Sequence, residues 1–156
     1  MDSLTGIHPV EVPDSLAAGS VRLEFSEFIP ASELLGLAPR YIFKVLNLGG
    51  IAVGYITFRP GDSWHIQFAA GHIGYRIDKE FRGHGYAYFA CKALEPFIRS
   101  QYSRVILTTS PTNAASIKTI ERLGATFLEI IEIPEDDPAF ASGDLRRRRY
   151  EWELSS

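Results

Sequence analysis

The chain has 156 residues, 46% of them hydrophobic and 22% charged, with 16 Lys and Arg against 19 Asp and Glu for a net charge of −3. One domain of this length removes roughly 70% of its unfolded surface from water, enough for a core without metal or disulfide staples, and the lone Cys91 cannot form an internal bridge. The slight acidity argues against a nucleic-acid partner, no apolar run nears the roughly 20 residues of a membrane span, and residues 1–20 lack the basic and apolar regions of a secretory signal, so the reading is one cytoplasmic domain over 1–156.

Residues 1–20 read as an irregular segment. Val21 to Phe28 then alternates apolar Val21, Leu23 and Phe25 with polar Arg22, Glu24 and Ser26, the period of a half-buried strand. Ala31 to Leu37 has the length of a short helical turn. Tyr41 to Leu48 and Ile51 to Phe58 are rich in strand formers and flank Asn47-Leu48-Gly49-Gly50, which is hairpin chemistry. Pro60-Gly61-Asp62-Ser63 reads as a turn, and Trp64 to Phe68 with His72 to Ile77 as a further pair of strands.

The second half changes period. From Tyr86 the apolar positions Phe89, Ala90, Ala93, Leu94, Phe97 and Ile98 make a helix face, which Pro96 should kink or end. Arg104 to Ser110 is a short strand closed by Pro111; Asn113 opens a second helix with apolar Ile117, Ile120 and Leu123, ended by Gly124. Thr126 to Ile133 and Leu145 to Leu154 read as strands joined by an acidic loop holding Glu135, Asp136 and Asp137. Four consecutive arginines, Arg146 to Arg149, fall in the last strand, where alternation sends two to each face, so they read as strand charges instead of a nucleic-acid patch. No repeat or composition break divides the chain. The fold class is α+β, with a mixed, mostly antiparallel sheet, and the central strand, helix and strand forming a parallel crossover.

The residues that carry chemistry lie between strand and helix, at Arg82-Gly83-His84-Gly85-Tyr86-Ala87. Glycines at a strand-to-helix turn let a ligand approach the backbone, and the first helical turn offers unpaired N–H groups and the positive dipole end, a combination that binds phosphate. Neither a dinucleotide fingerprint nor a P-loop fits, since Tyr88 stands where the former needs Gly and no Gly-Lys-Ser/Thr follows. Arg82 to Ala87 resembles the pyrophosphate-binding motif of the GCN5-related N-acetyltransferase (GNAT) superfamily. Gly71-His72-Ile73-Gly74-Tyr75-Arg76-Ile77, Asn113-Ala114-Ala115-Ser116 and Glu121-Arg122-Leu123-Gly124-Ala125 are similar to its ribosomal-protein N-acetyltransferase branch, of RimJ/RimL type.

The resemblance implies an acyl-CoA N-acyltransferase fold whose sheet splays between two parallel strands flanked by helices. It implies an acetyl-CoA-dependent N-acetyltransferase acting on a primary amine of a small molecule or a protein N-terminus, without metal, as monomer or homodimer. The alternative is a catalytically silent acyl-CoA-binding sensor. By position, the backbone of Tyr75, Arg76 and Ile77 would pair with the pantetheine arm. The N–H groups from Arg82 through Gly83, His84, Gly85, Tyr86 and Ala87, with the Arg82 side chain as the one cation, would hold the pyrophosphate. Asn113 either caps its helix or contacts the cofactor, and Ser116 is placed to protonate the departing CoA thiolate, because Ile120 occupies the position where many members carry a donor Tyr. The general base stays open between His72 and His65. The acidic loop borders the acceptor entrance in relatives, where it would favour a cationic amine.

Overall fold

Alternation along residues 21–28 builds the first sheet. In the computed structural model, which describes residues 10–32, 38–143 and 145–154, Val21 and Leu23 face the core and Arg22 and Glu24 the solvent along β2 (Val21–Ile29). β1 (Leu16–Ala18), β2, β3 (Arg40–Leu46), β4 (Ala52–Phe58) and β5 (Ile73–Ile77) form a five-stranded antiparallel sheet in chain order. β1 corrects the expectation that residues 1–20 are wholly irregular: Leu16 is buried and pairs opposite Leu23. The β3–β4 hairpin is as expected, with Asn47 Oδ1 accepting from the N–H groups of Gly49 and Ile51 at 2.9 and 3.0 Å. The helical turn expected at Ala31 to Leu37 lies, from residue 33 on, outside the described residues.

The strand expected at Trp64 to Phe68 is instead a π-helix, His65–Ala70. Trp64, Ile66 and Phe68 alternate in sequence, yet only Ile66 and Ala69, three apart, are buried; Trp64 is 46% exposed and stacks on Phe68. Ser63 Oγ accepts from the N–H of Ile66, and the N–H of Gly71 reaches back to Ile66 O at 2.8 Å, closing the wide turn.

Helix α1 (Tyr86–Arg99) does not end at Pro96. Proline costs one backbone hydrogen bond, but Ala93, Leu94, Phe97 and Ile98 on both sides of it are buried, and Phe97 meets Tyr41, Phe43 and Phe58 edge-on at 5.1–6.0 Å between ring centroids. That packing offsets the loss. Across α1 the chain enters a second antiparallel sheet ordered β6 (Arg104–Thr109), β8 (Arg146–Glu153), β7 (Thr126–Glu132). Helix α2 (Ala114–Arg122) follows β6, and a short α3 (Pro138–Ala141) lies in the acidic loop, capped by Asp137.

The two sheets meet at β5 and β6, which share no ladder among the described residues. Just before β5, the His72 N–H donates to Ile106 O at 2.7 Å, and the His72 ring continues the join: Nδ1 accepts from the Ile106 N–H at 2.9 Å and Nε2 donates to Gly61 O at 2.9 Å. Beyond this clasp the seam between the sheets is open. It is the splayed α+β arrangement that the resemblance implies.

Candidate functional site

At the open end of the seam the chain turns from β5 into α1. Gly85, the N-cap of α1, has φ +74°, a left-handed conformation that a side chain disfavours, and α1 has no side-chain cap. Its first N–H groups are therefore donors without a capping partner, at the positive end of a helix dipole. The N-terminus of α2 differs, because Asn113 Oδ1 accepts from the Ser116 N–H at 3.1 Å.

A cavity of about 820 Å³ unites these elements. β5 contributes Tyr75, Arg76 and Ile77; the turn and α1 contribute Arg82, Gly83, Gly85, Tyr86 and Ala87; α2 contributes Asn113 and Ser116. Of the expected cofactor residues only His84 is not in the lining; it is exposed, its ring 5.4 Å from that of Tyr86. The Arg82 Nε donates to Ile77 O at 3.0 Å, fastening the turn to the end of β5.

Within the cavity Tyr75 Oη and Ser116 Oγ lie 2.8 Å apart. Burial, and secondarily the neighbouring Cys91, pushes the Tyr75 phenol above its ordinary pKa, against the opposing bonds of Ser116 and Thr119. Tyr75 is thus a protonated hydroxyl at neutral pH, held on the hydroxyl that sequence singled out.

The cavity also holds residues that the sequence reading missed: Tyr55, Phe81, Tyr88, Ala115, Lys118, Thr119 and Arg122. Thr119 follows Ser116 by three and Arg122 by six, the spacing of one helical face, so helix periodicity could have found them. Arg122 reaches from α2 over the Tyr88 ring, 3.9 Å from its centroid. Among the described residues of the lining, Arg76, Arg82, Lys118 and Arg122 are four cationic side chains and none is a carboxylate. This corrects the expectation of a single Arg and suits a polyanion.

His72, a candidate base, is 3% exposed and outside the cavity lining. An N–H donor at Nδ1 and a carbonyl at Nε2 can both be satisfied only by the neutral ring, and burial accordingly lowers its pKa below 6.5. Its two nitrogens are occupied with the seam, which leaves neither to take a proton from an amine. His65 is also outside the lining, its Nδ1 bonded to both oxygens of buried Asp137 at 2.9 and 3.0 Å. The arginine run is drawn into the fold: Arg147 donates to Ala69 O and Thr108, Arg149 to Gln67 O and Glu129, and Arg148 lies over the Phe127 ring. Among the described residues no cluster of His, Cys, Asp or Glu suited to a metal ion occurs, and no helix is long and apolar enough to cross a membrane.

Comparison with known proteins agrees with this geometry. A family model for the acetyltransferase (GNAT) domain matches residues 13–126. Among solved structures, the ribosomal L7/L12 alpha-N-protein acetyltransferase RimL in complex with coenzyme A is similar at 18% identity and TM-score 0.56, over 74% of this chain and 62% of that one. The Salmonella typhimurium acetyltransferase that modifies the N-terminal serine of L7/L12 gives 19% identity and TM-score 0.56 over 74% and 64%. The microcin C7 self-immunity acetyltransferase MccE, bound to acetyl-CoA and AMP, gives 20% and 0.54 over 74% and 61%. At such identities the likeness is one of fold, and the chain spans somewhat under two thirds of the length of these three proteins. No curated protein matches the sequence.

Proposed function

Because the chain belongs to the GNAT acetyltransferase family, we propose that it transfers the acetyl group of acetyl-CoA to a primary amine by direct attack, with no covalent enzyme intermediate. The observation that carries this reading is the cavity joining the uncapped α1 N-terminus to the Tyr75–Ser116 hydroxyl pair at the seam. The pyrophosphate suits the N–H groups at the start of α1, with Arg82 and Arg122 beside them. Among the described residues β5 pairs only with β4, which leaves its other edge along Tyr75 to Ile77 for the amide-bearing pantetheine arm to add as a strand would.

Bound there, acetyl-CoA supplies the activated acyl group. The amine nitrogen bonds to the thioester carbonyl carbon, the C–S bond breaks, and the sulfur takes a proton from Ser116, whose hydroxyl is replenished through the 2.8 Å bond from Tyr75. The amine's proton passes through water back to Tyr75, restoring the phenol that burial keeps protonated. Acetyl-CoA as cosubstrate and a buried, reduced Cys91 fit a cytoplasmic setting.

Calorimetric titration with acetyl-CoA, followed by an assay of free CoA release over a panel of primary amines, tests the reading. Saturable binding and amine-dependent release support it. Binding without release from any amine would favour the silent sensor instead, and no binding at millimolar acetyl-CoA would sink both.

A further inference from the structure

Resting on the acetyl-transfer reading, the cavity holds a side-chain arrangement that the backbone donors at the start of α1 do not require. Arg122 reaches across from the last turn of α2, its Cζ 3.9 Å from the centroid of the Tyr88 ring and 5.4 Å from that of Phe89. A Cβ placed on Gly85 would stand 3.3 Å from Arg122 Nη1, so the guanidinium lies beside the N-cap of α1. Gly85, Tyr88 and Arg122 all line the one cavity.

The ring under Arg122 is itself braced. Tyr88 and Phe89 meet edge-on with centroids 5.2 Å apart, and Phe89 packs against the core. The β1–β2 turn closes on it from outside, where a Cβ on Gly19 would stand 2.5 Å from the Phe89 ring. Tyr88 occupies the position at which a dinucleotide fingerprint carries Gly. Here that position holds a ring, and the ring seats a cation.

Stacking on an aromatic ring engages the face of a guanidinium and leaves its five N–H donors, which lie in its plane. Among the described residues, Arg122 has its two ring contacts and neither a hydrogen bond nor an ion pair. Arg82 differs, because its Nε is spent on Ile77 O. Lys118, one turn before Arg122 on the same face of α2, adds a second cation to the lining. A guanidinium fork matches a phosphate, and a side chain already seated gives up less freedom when it binds one.

We propose that Arg122 donates to a phosphate of the CoA moiety from the α2 side, facing the backbone N–H groups of α1, and that Tyr88 is the positioning residue that seats it. The phosphate end of the cofactor is then held between two helices, by backbone from one and by a side chain from the other. CoA offers two such groups, the pyrophosphate and the 3′-phosphate of its ribose, and a guanidinium suits either.

Calorimetric titration of CoA and of dephospho-CoA, which lacks the 3′-phosphate, tests this. Arg122→Gln, a change to an exposed side chain, should weaken CoA binding about tenfold, and Arg122→Lys should recover part of the loss. A similar loss toward dephospho-CoA assigns the contact to the pyrophosphate; a loss confined to CoA assigns it to the 3′-phosphate. Tyr88→Phe keeps the ring and should bind CoA within about twofold of wild type, whereas Tyr88→Leu should weaken binding about threefold to fivefold, with Tyr88→Met in its place should the Leu variant not fold. In an Arg122→Gln background the loss of the ring should cost nothing further, as expected of a residue that acts through Arg122. Wild-type affinity for CoA in Arg122→Gln overturns the proposal while leaving acetyl transfer standing. An undiminished cost of removing the ring without Arg122, or an equal loss in Tyr88→Phe, overturns the role of Tyr88. Failure of wild-type protein to bind either CoA or acetyl-CoA would instead remove the acetyl-transfer reading on which the proposal rests.

Discussion

The open and the closed parts of the β5–β6 seam are built from different materials. On the α1 and α2 side the cavity comes from two short stretches, residues 75–88 and 113–122, with Tyr55 added, and its central device is backbone: a glycine at φ +74° and a helix start without a side-chain cap. Where the seam is closed the device is side chain, the His72 ring accepting from the Ile106 N–H of β6 and donating to Gly61 O beyond β4. A ligand of fixed shape can be held by local backbone geometry. A join between two sheets depends on residues that only the tertiary fold brings together.

The largest effect is expected where backbone geometry is least replaceable. Gly85→Trp puts a β-carbon on a left-handed N-cap, 3.3 Å from the Arg122 guanidinium, and an indole into the cavity mouth. Acetyl-CoA affinity should fall at least about 100-fold, roughly 2.7 kcal/mol, while circular dichroism stays near wild type. Retained affinity would break the contrast, since the α1 N-terminus would then not be the anion site.

Next is the clasp between the sheets. His72→Ala strips the Ile106 N–H and Gly61 O of their side-chain partners inside the fold and should cost about 2–3 kcal/mol in denaturant unfolding. The pH dependence has a definite sign. The native ring stays neutral below 6.5 because burial lowers its pKa, whereas the unfolded chain takes up the proton, so the native state loses stability as pH falls from 6.5 toward the lowered value. Unfolding midpoints measured at about pH 7.5 and pH 5.5 should differ less in His72→Ala than in wild type. An equal difference in both proteins would mean that other groups set the acid sensitivity.

The clasp also marks where the sequence stopped being legible. Its role needs Ile106 and Gly61 as partners, and no local pattern announces a neighbour 34 residues away. The glycine turn was legible because its geometry is local; so were the β3–β4 hairpin, the Asn113 cap and the course of the arginine run in β8. The segment at Trp64 misled because alternation of Trp64, Ile66 and Phe68 is shared by a strand and by one wide helical turn, and Ser63 with Gly71 decided between them. Pro96 misled in the other direction: a local cost was outweighed by burial on three sheet aromatics. Thr119 was missed for want of extending one helical face beyond the Asn113 to Ser116 motif, and Arg122, though within a resembling stretch, was given no site role for the same reason.

A smaller effect should separate the hydroxyl pair from the α1 N-terminus. Ser116→Ala removes the group nearest the proposed sulfur position, and Tyr75→Phe removes only its 2.8 Å support. Turnover should fall about 10- to 100-fold in the first and about threefold to tenfold in the second, with acetyl-CoA affinity changed less than about threefold in both. Equal losses in affinity and turnover for Ser116→Ala would make it a binding residue.

The smallest expected change is at Asn113, where one side chain has two accounts. As a cap, Asn113 Oδ1 holds the Ser116 N–H, so Asn113→Ala should lower stability by about 1 kcal/mol. Asn113→Asp separates the accounts, because a carboxylate caps a helix start as well as an amide does and gains from the dipole. If the cap is its whole contribution, Asn113→Asp keeps wild-type stability and acetyl-CoA affinity together. If Asn113 also donates its amide N–H to the cofactor, the carboxylate cannot replace that donor, and a new negative charge enters a cavity lined by four cations that a polyanion would occupy. Affinity should then fall about tenfold with stability unchanged, and that split, read by calorimetry beside thermal unfolding, would make Asn113 part of the cofactor side of the seam.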